Sequence, residues 1–193
     1  MDSITFRPIK AEEAAEACKF GEQEFGRTFR CLYSDKDYEE YISEAYTIEK
    51  YLDWINSPDF FVYGAFSKNS QNSDNCAQSG LVAYVLAGPC SLPVSDEILG
   101  GVDVSSTGEV KRMYAHPSTF GTGVAASLFT NAIEWLRSGE GQANRDIYLG
   151  VYSENPRAMK FYSKYNFKHV GEYEFIAGDQ RDREFIFKNS SSN

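Results

Sequence analysis

The chain has 193 residues, 42% of them hydrophobic and 15% aromatic, and a formal net charge of −9. This is enough apolar material for one substantial core, so a single domain over 1–193 is expected. The acidic balance speaks against a nucleic-acid groove, which needs a basic surface to displace counterions, and makes small cationic molecules more natural partners; acidity is also an ordinary means of solubility.

No run approaches the length of a bilayer span, and the opening MDSITFRPIK has no signal-like apolar stretch. A cytoplasmic protein with no membrane partner is therefore expected. Cys18, Cys31, Cys76 and Cys90 show no CxxC spacing, and His116 and His169 do not lie at ligand spacing from them. Neither a disulfide framework nor a metal site is expected, and no imidazole stands by to activate Cys31 or Cys90 as a nucleophile.

In chain order, Ile4 to Ile9 alternates as a strand does, and Ala11 to Phe25 has helical spacing through Ala14, Ala15, Cys18 and Phe25. Ser34 followed by Asp37 predicts a capped helix from Asp35 to Ala45, Thr47 a second to about Ile55, and Pro58 closes the helical region. Phe60 to Phe66 and Leu81 to Ala87, rich in aromatic and β-branched residues, read as adjacent antiparallel strands. Their connector, Ser67 to Ser79, is polar enough to predict a mobile loop, and Gly88 to Thr107, with Pro89 and Pro93, an irregular segment beside a substrate entrance.

Glu109 to Ala115 (strand), Thr122 to Arg137 (helix), Asp146 to Tyr152 (strand) and Pro156 to Tyr165 (helix) form two successive β-α units, which implies neighbouring parallel strands. Phe167 to Ile176 and Arg183 to Lys188 read as a closing antiparallel pair, with 189–193 as a disordered tail. Together these predict an α/β (α+β) fold: a mixed, twisted, mostly antiparallel sheet with helices on both faces. Alternation along the strand puts Lys111 and Arg112 on opposite faces, with at least one at the surface.

The stretch MYAHPSTFGTGVAA, Met113 to Ala126, joins a strand end to a long amphipathic helix through two glycines. Gly121 and Gly123 can turn successive N–H groups inward, and a helix start adds unpaired donors and a positive dipole end, which suits a diphosphate. By itself the loop reads sooner as a tight strand-to-helix turn than as an anion site.

Residues Glu109 to Phe167 resemble the core of the GNAT superfamily of N-acetyltransferases. Phe120-Gly121-Thr122-Gly123-Val124-Ala125 occupies that family's Gln/Arg-x-x-Gly-x-Gly/Ala loop, and Asn155, Ala158, Phe161 and Tyr162 match its second block. Arg7-Pro8-Ile9 resembles its opening strand. Two positions depart from the pattern: Phe120 stands where Gln or Arg is usual, which leaves binding to the main chain, and Asn166 replaces a frequent Gly.

The resemblance implies a central parallel pair that splays, and acetyl-CoA as cosubstrate. The Met113-Tyr114-Ala115 segment would pair with the pantetheine arm, amides from Gly121, Thr122, Gly123, Val124, Ala125 and Ala126 would clasp the pyrophosphate, and Asn155 would reach the cofactor. Tyr162 would protonate the departing thiolate; outside the matched block a lone tyrosine there would be read as packing. Since a primary amine is almost wholly protonated at neutral pH, a base is needed. Glu109 is the first choice for it and His116 the second, although Glu109 also reads as a solvated carboxylate at a strand start. Phe29, Tyr33, Glu39 to Tyr46 and the ending GEYEFIAGDQRDREFIFK resemble microbial polyamine acetyltransferases. Asp35, Asp37, Glu39, Glu40 and Glu44 would attract a polycation, or form an ordinary solvated helix face. The expected acceptor is a small cationic amine; the alternatives are a protein amino terminus or lysine, or a non-catalytic acyl-CoA sensor. The closing strands also offer an edge for a homodimer.

Overall fold

A computed structural model of the protein describes residues 3–68, 80–139 and 143–190. Seven strands form one sheet: β1 (Ile4–Pro8), β2 (Phe61–Ser67), β3 (Leu81–Pro89), β4 (Gly108–Ala115), β5 (Ile147–Tyr152), β6 (Lys168–Ala177) and β7 (Gln180–Asn189), in the order β1-β2-β3-β4-β5-β7-β6. Every neighbouring pair is antiparallel except β4 and β5. The helices are α1 (Ala14–Phe29), α2 (Asp35–Ala45), α3 (Ile48–Asn56), α4 (Asp96–Leu99), α5 (Val124–Leu136) and α6 (Pro156–Ser163). Among the described residues, no helix is long and apolar enough to cross a membrane.

Two cores lie on opposite faces of the sheet. On one, Ala17, Phe20 and Phe25 of α1 meet Tyr51 of α3 and Tyr84 and Leu86 of β3. On the other, Leu128, Phe129, Ala132 and Leu136 of α5 pack with Val85, Ile147, Leu149 and Phe167. The strands between them are buried on both sides, which explains why β3 is an unbroken apolar run rather than an alternating one.

Local chemistry sets the helix starts. The Ser34 hydroxyl accepts the Asp37 N–H at 3.1 Å, and the Thr47 hydroxyl accepts that of Lys50 at 3.3 Å. Asn166 has φ of 62°, the left-handed value expected of an asparagine standing in for glycine.

Several boundaries differ from expectation. Helix α1 runs one turn past Phe25, and its buried stripe takes Ala17 and Phe20 while Ala15 stays exposed. The segment expected to be irregular contains α4, and its Leu92, Val94, Ile98 and Val104 pack on Tyr148, Ile186 and Tyr173. Asn189 is no tail residue: it is buried in β7, accepts from Arg137 Nη2 at 2.5 Å and donates to the Tyr165 carbonyl at 2.6 Å. The expected mobile connector lies, from residue 69 on, outside the described residues, as do Cys76 and 191–193.

Arg7 of β1 clamps the entrance to α1 by bonding both oxygens of Glu13, at 2.7 and 2.6 Å, while its guanidinium lies 3.6 Å from the Phe66 ring centre. Hydrogen bonding from Arg7 holds the Glu13 carboxyl below its ordinary value. A depressed carboxyl adds stability above the normal carboxylate range and loses it as pH falls through the folded-state value. Glu13→Gln should therefore cost about 1 kcal/mol at neutral pH, and its difference from wild type should shrink in acid, as read by urea denaturation at several pH values. A constant difference down to strongly acid pH would disprove the clamp.

Candidate active site

The site begins with a defect in β4. Its register against β3 runs Leu86 to Arg112 and then Ala87 to Val110, skipping Lys111, which makes Lys111 a β-bulge. On the other side β4 pairs with β5 only at Gly108–Ile147 and Glu109–Tyr148. Beyond that point the parallel strands part. The His116 N–H donates to Val82 on β3, and strand alternation turns the N–H and C=O of Met113 and Ala115 the opposite way, into the gap.

The bulge also overturns the expected placement of Lys111 and Arg112, since both end on the α1 face and neither is exposed. Lys111 bonds Glu109, while Arg112 bonds the Ala45 carbonyl at 2.9 Å and lies 4.4 Å from the Tyr46 ring centre. Simple alternation fails because the extra residue resets the phase.

Past β4, a 3-10 turn leads into the glycine loop. His116 caps this turn, its Nδ1 accepting the Ser118 N–H at 3.3 Å, so the imidazole serves the turn. Gly121 has φ of 75° and Gly123 of 88°, and an added Cβ at either would meet nothing within 4 Å. What these positions require is therefore the left-handed backbone rather than space. The first bond of the α5 ladder runs from Ser127 N to Gly123 O, which leaves the amides of Val124, Ala125 and Ala126 outside it at the dipole's positive end. Thr122 is different: its N–H and hydroxyl both turn back to the Thr119 carbonyl, at 3.2 and 2.6 Å.

A cavity of about 880 Å³ runs from this loop through the gap to the opposite face. Met113, Tyr114, Ala115, Gly121, Gly123, Ala125, Ala126, Asn155, Tyr162 and Glu109 all line it. Thr122 and Val124 do not, the first being folded back and the second having its side chain buried beneath α5. Asn155 caps α6, its Oδ1 accepting the Ala158 N–H at 3.1 Å. Burial holds the Tyr162 hydroxyl above its ordinary value, and the Tyr114 and Glu184 side chains push it in the same direction. It is a protonated donor at neutral pH.

Phe120, exposed at the loop entrance, carries the Arg157 guanidinium 4.3 Å above its ring. Arg157, in the first turn of α6, is thus held at the loop entrance by the aromatic face.

On the α1 side the cavity is walled by Phe25, Phe29, Tyr41 and Phe175, and among the described residues three carboxylates reach it. Glu24 pairs with Arg27 at 3.3 Å. Glu109 is 6% exposed, and its Oε2 receives Lys111 Nζ at 2.7 Å and Ser91 N and Oγ at 2.7 and 3.0 Å, so the reading as a solvated strand-start carboxylate does not hold. Glu184 of β7 accepts from Tyr173 Oη at 2.5 Å. The acidic helix contributes none of these: Tyr41 is its one residue at the cavity, and Asp37 is buried, accepting from Ser34 and from the Asp179 N–H. Among the described residues, no group of three or more His, Cys, Asp or Glu could hold a metal ion.

The model for acetyltransferases of the GNAT family matches residues 24–167. The chain belongs to this family. Over 188 residues, 97% of this chain and 98% of the relative, the GNAT protein is 24% identical to an uncharacterised N-acetyltransferase of Lactobacillus delbrueckii subsp. lactis. Among solved structures, the PaiA N-acetyltransferase of Thermoplasma acidophilum in complex with coenzyme A superposes with a TM-score of 0.70 at 21% identity, over 98% of this chain and 99% of that one. Arabidopsis thaliana NAA60 in complex with a bisubstrate analogue gives 0.65 at 16% identity, over 98% and 100%. At these identities the likeness is one of fold.

Sequence reasoning missed Glu24, Arg157, Tyr173 and Glu184 in this GNAT site. A signal for Glu184 existed: Asp182, Glu184 and Ile186 form one period-two stripe of β7, so two acids take positions where the third residue is buried and apolar.

Gly123→Val tests the loop, because a β-branched residue in the left-handed region costs about 1–2 kcal/mol or more. Calorimetric titration with CoA should show affinity reduced roughly tenfold or more, the equivalent of about 1.4 kcal/mol. Undiminished affinity in a folded variant would mean that the phosphates bind elsewhere.

Proposed function

We propose that this GNAT acetyltransferase moves an acetyl group directly from acetyl-CoA to the primary amine of a small cationic acceptor, a polyamine being the leading candidate. The observation that carries this reading is the gap between β4 and β5, which joins an amide-lined loop on one face to an acid- and aromatic-lined pocket on the other through a single cavity. The cofactor's diphosphate would meet the amides of Gly121, Gly123, Val124, Ala125 and Ala126, with Arg157 beside them. Its pantetheine arm would pair with the main chain of Met113 and Ala115 as an added strand would.

The thioester carbon then falls in the gap, facing the acid-lined pocket. Carboxylates draw the ammonium in, and the aromatic rings shelter its apolar neighbours. Attack needs the neutral amine, so a cavity carboxylate takes a proton first, with Glu109 and Glu184 both within the wall. Tyr162, kept protonated, donates to the thiolate as the carbon–sulfur bond breaks. The small cationic acceptor is favoured by the acidic and aromatic lining of the pocket, to which the segment after β3 adds Leu92.

Purified protein with acetyl-CoA should release CoA above background, fastest with spermidine or spermine in a panel that also holds amino acids and peptide amino termini. No release with any amine, despite CoA binding, would defeat the reading in favour of a sensor, and release confined to peptides would reassign the acceptor. Tyr162→Phe should lower kcat about 10²-fold with little change in acetyl-CoA affinity, as measured by steady-state rates and calorimetry. Unchanged turnover would remove Tyr162 from its role.

A further inference from the structure

We propose that Glu184 accepts the proton of the substrate ammonium and that Tyr173 positions its carboxylate over the gap between β4 and β5. This rests on the acetyltransferase reading above and assigns its base. On the sheet Glu184 lies opposite Tyr152 of β5 and Tyr173 of β6. Its carboxylate reaches across β5 at Gly150: a Cβ built there would stand 2.9 Å from Glu184 Oε2 and 2.6 Å from Tyr173 Oη. Gly150 is two residues past Tyr148, where pairing with β4 has ended, so its missing side chain lets the pair overhang the opening.

Charge separates the three cavity acids. Glu24 has Arg27 and Glu109 has Lys111, whereas among the described residues no cation lies within ion-pairing distance of Glu184. Its bond from Tyr173 is charge-assisted but brings no positive charge. A half-buried carboxylate in this state lacks a cation, and an ammonium is the cation this cavity would admit. Glu109 is already occupied, with an ammonium and two serine donors on one oxygen.

The groups that face Glu184 are neutral or acidic, and the Arg112 guanidinium acts on two of them, Tyr41 and Tyr114. Tyr173 faces it from β6, Asp182 from its own strand, Tyr162 from α6, Tyr41 from α2, Tyr33 from the link between α1 and α2, and Tyr114 from β4. The Glu109–Lys111 pair lies beyond Tyr173. Burial raises the Glu184 carboxyl above its ordinary value, Asp182 adds to this, and the Tyr173 hydrogen bond opposes it. A carboxylate raised toward neutrality is a better proton acceptor at working pH.

The step balances as follows. The ammonium gives one proton to Glu184, and the neutral nitrogen uses its freed pair to bond the thioester carbon. As the tetrahedral adduct collapses, the carbon–sulfur pair leaves on sulfur and is protonated by Tyr162, which regains a proton from the nitrogen. Glu184 returns its proton to solvent when the product leaves.

The test measures CoA release against pH, with acetyl-CoA and spermidine or whichever small primary amine is turned over fastest, for wild type, Glu184→Gln, Glu184→Asp, Glu109→Gln and Tyr173→Phe. Thermal melts and CoA titration report folding. Glu184→Gln should lose about 10²-fold in kcat or more, lose the acidic limb of its kcat/KM profile and regain rate as the pH approaches that of the free amine's ionisation. Glu184→Asp should keep the limb at lower kcat, which answers the question if the Gln variant does not fold. In Tyr173→Phe the limb should move to higher pH, since a bond favouring the ionised form is gone. The limb surviving in Glu184→Gln, or vanishing in Glu109→Gln but not in Glu184→Gln, would overturn the assignment while leaving the acetyltransferase reading in place. Absence of release by wild type with every amine would remove both.

Discussion

The site depends on two parallel strands that stop pairing after two residues each. A sheet normally satisfies the main-chain groups of each interior strand from both neighbours, and leaving them unpaired in a buried place is costly. Here the open edge of β4 lies in the middle of the molecule, so whatever enters the cavity meets N–H and C=O groups already in strand geometry. The bulge at Lys111 and the spread of β4 from β5 are parts of this one distortion. Everything else that matters is arranged around the opening: α5 presents its amino end on one side, and β7 reaches over β5 on the other.

The opening remains stable because its surroundings are packed from both faces. Phe129 lies fully buried against Phe161, Tyr162, Tyr165 and Phe167, with ring centres 4.9 to 5.4 Å apart, and this cluster anchors α6 against α5. On the other face Tyr46 bonds Tyr114 and Tyr51 bonds Tyr84, each at 2.6 Å, and Arg112 stacks among them. Such a network satisfies buried hydroxyls pairwise and keeps a guanidinium solvated by ring faces and carbonyls in place of water. The acids that line the cavity differ in whether a cation is paired with them: Glu24 and Glu109 each have one, and among the described residues Glu184 has none.

Much of the fold was legible along the chain. Alternation, helical spacing and caps placed the principal elements within a few residues, because these signals are local: Ser34 meets its N–H three residues away, and Asn166 adopts its own left-handed angle. The glycine loop and the Asn155 block were legible for the same reason, since a turn, a helix start and a cap need only neighbouring residues. Errors appear where distant strands decide. Asn189 looked like a tail until Arg137 and Tyr165 were brought to it, and Lys111 and Arg112 looked opposed until a register shift against β3 put them on one face.

By itself the amino-acid sequence determined the class of fold, the glycine loop that opens a long helix and the family resemblance, all of which rest on short-range spacing. The tertiary structure alone decided what each ionisable group does. It put Glu109 into an ion pair, turned Thr122 back on Thr119, stacked Arg157 on Phe120 and carried Glu184 over a glycine on another strand. The physical reason is that charge, burial and hydrogen-bond partners are properties of position in space, and these partners come from strands and helices far apart in the chain.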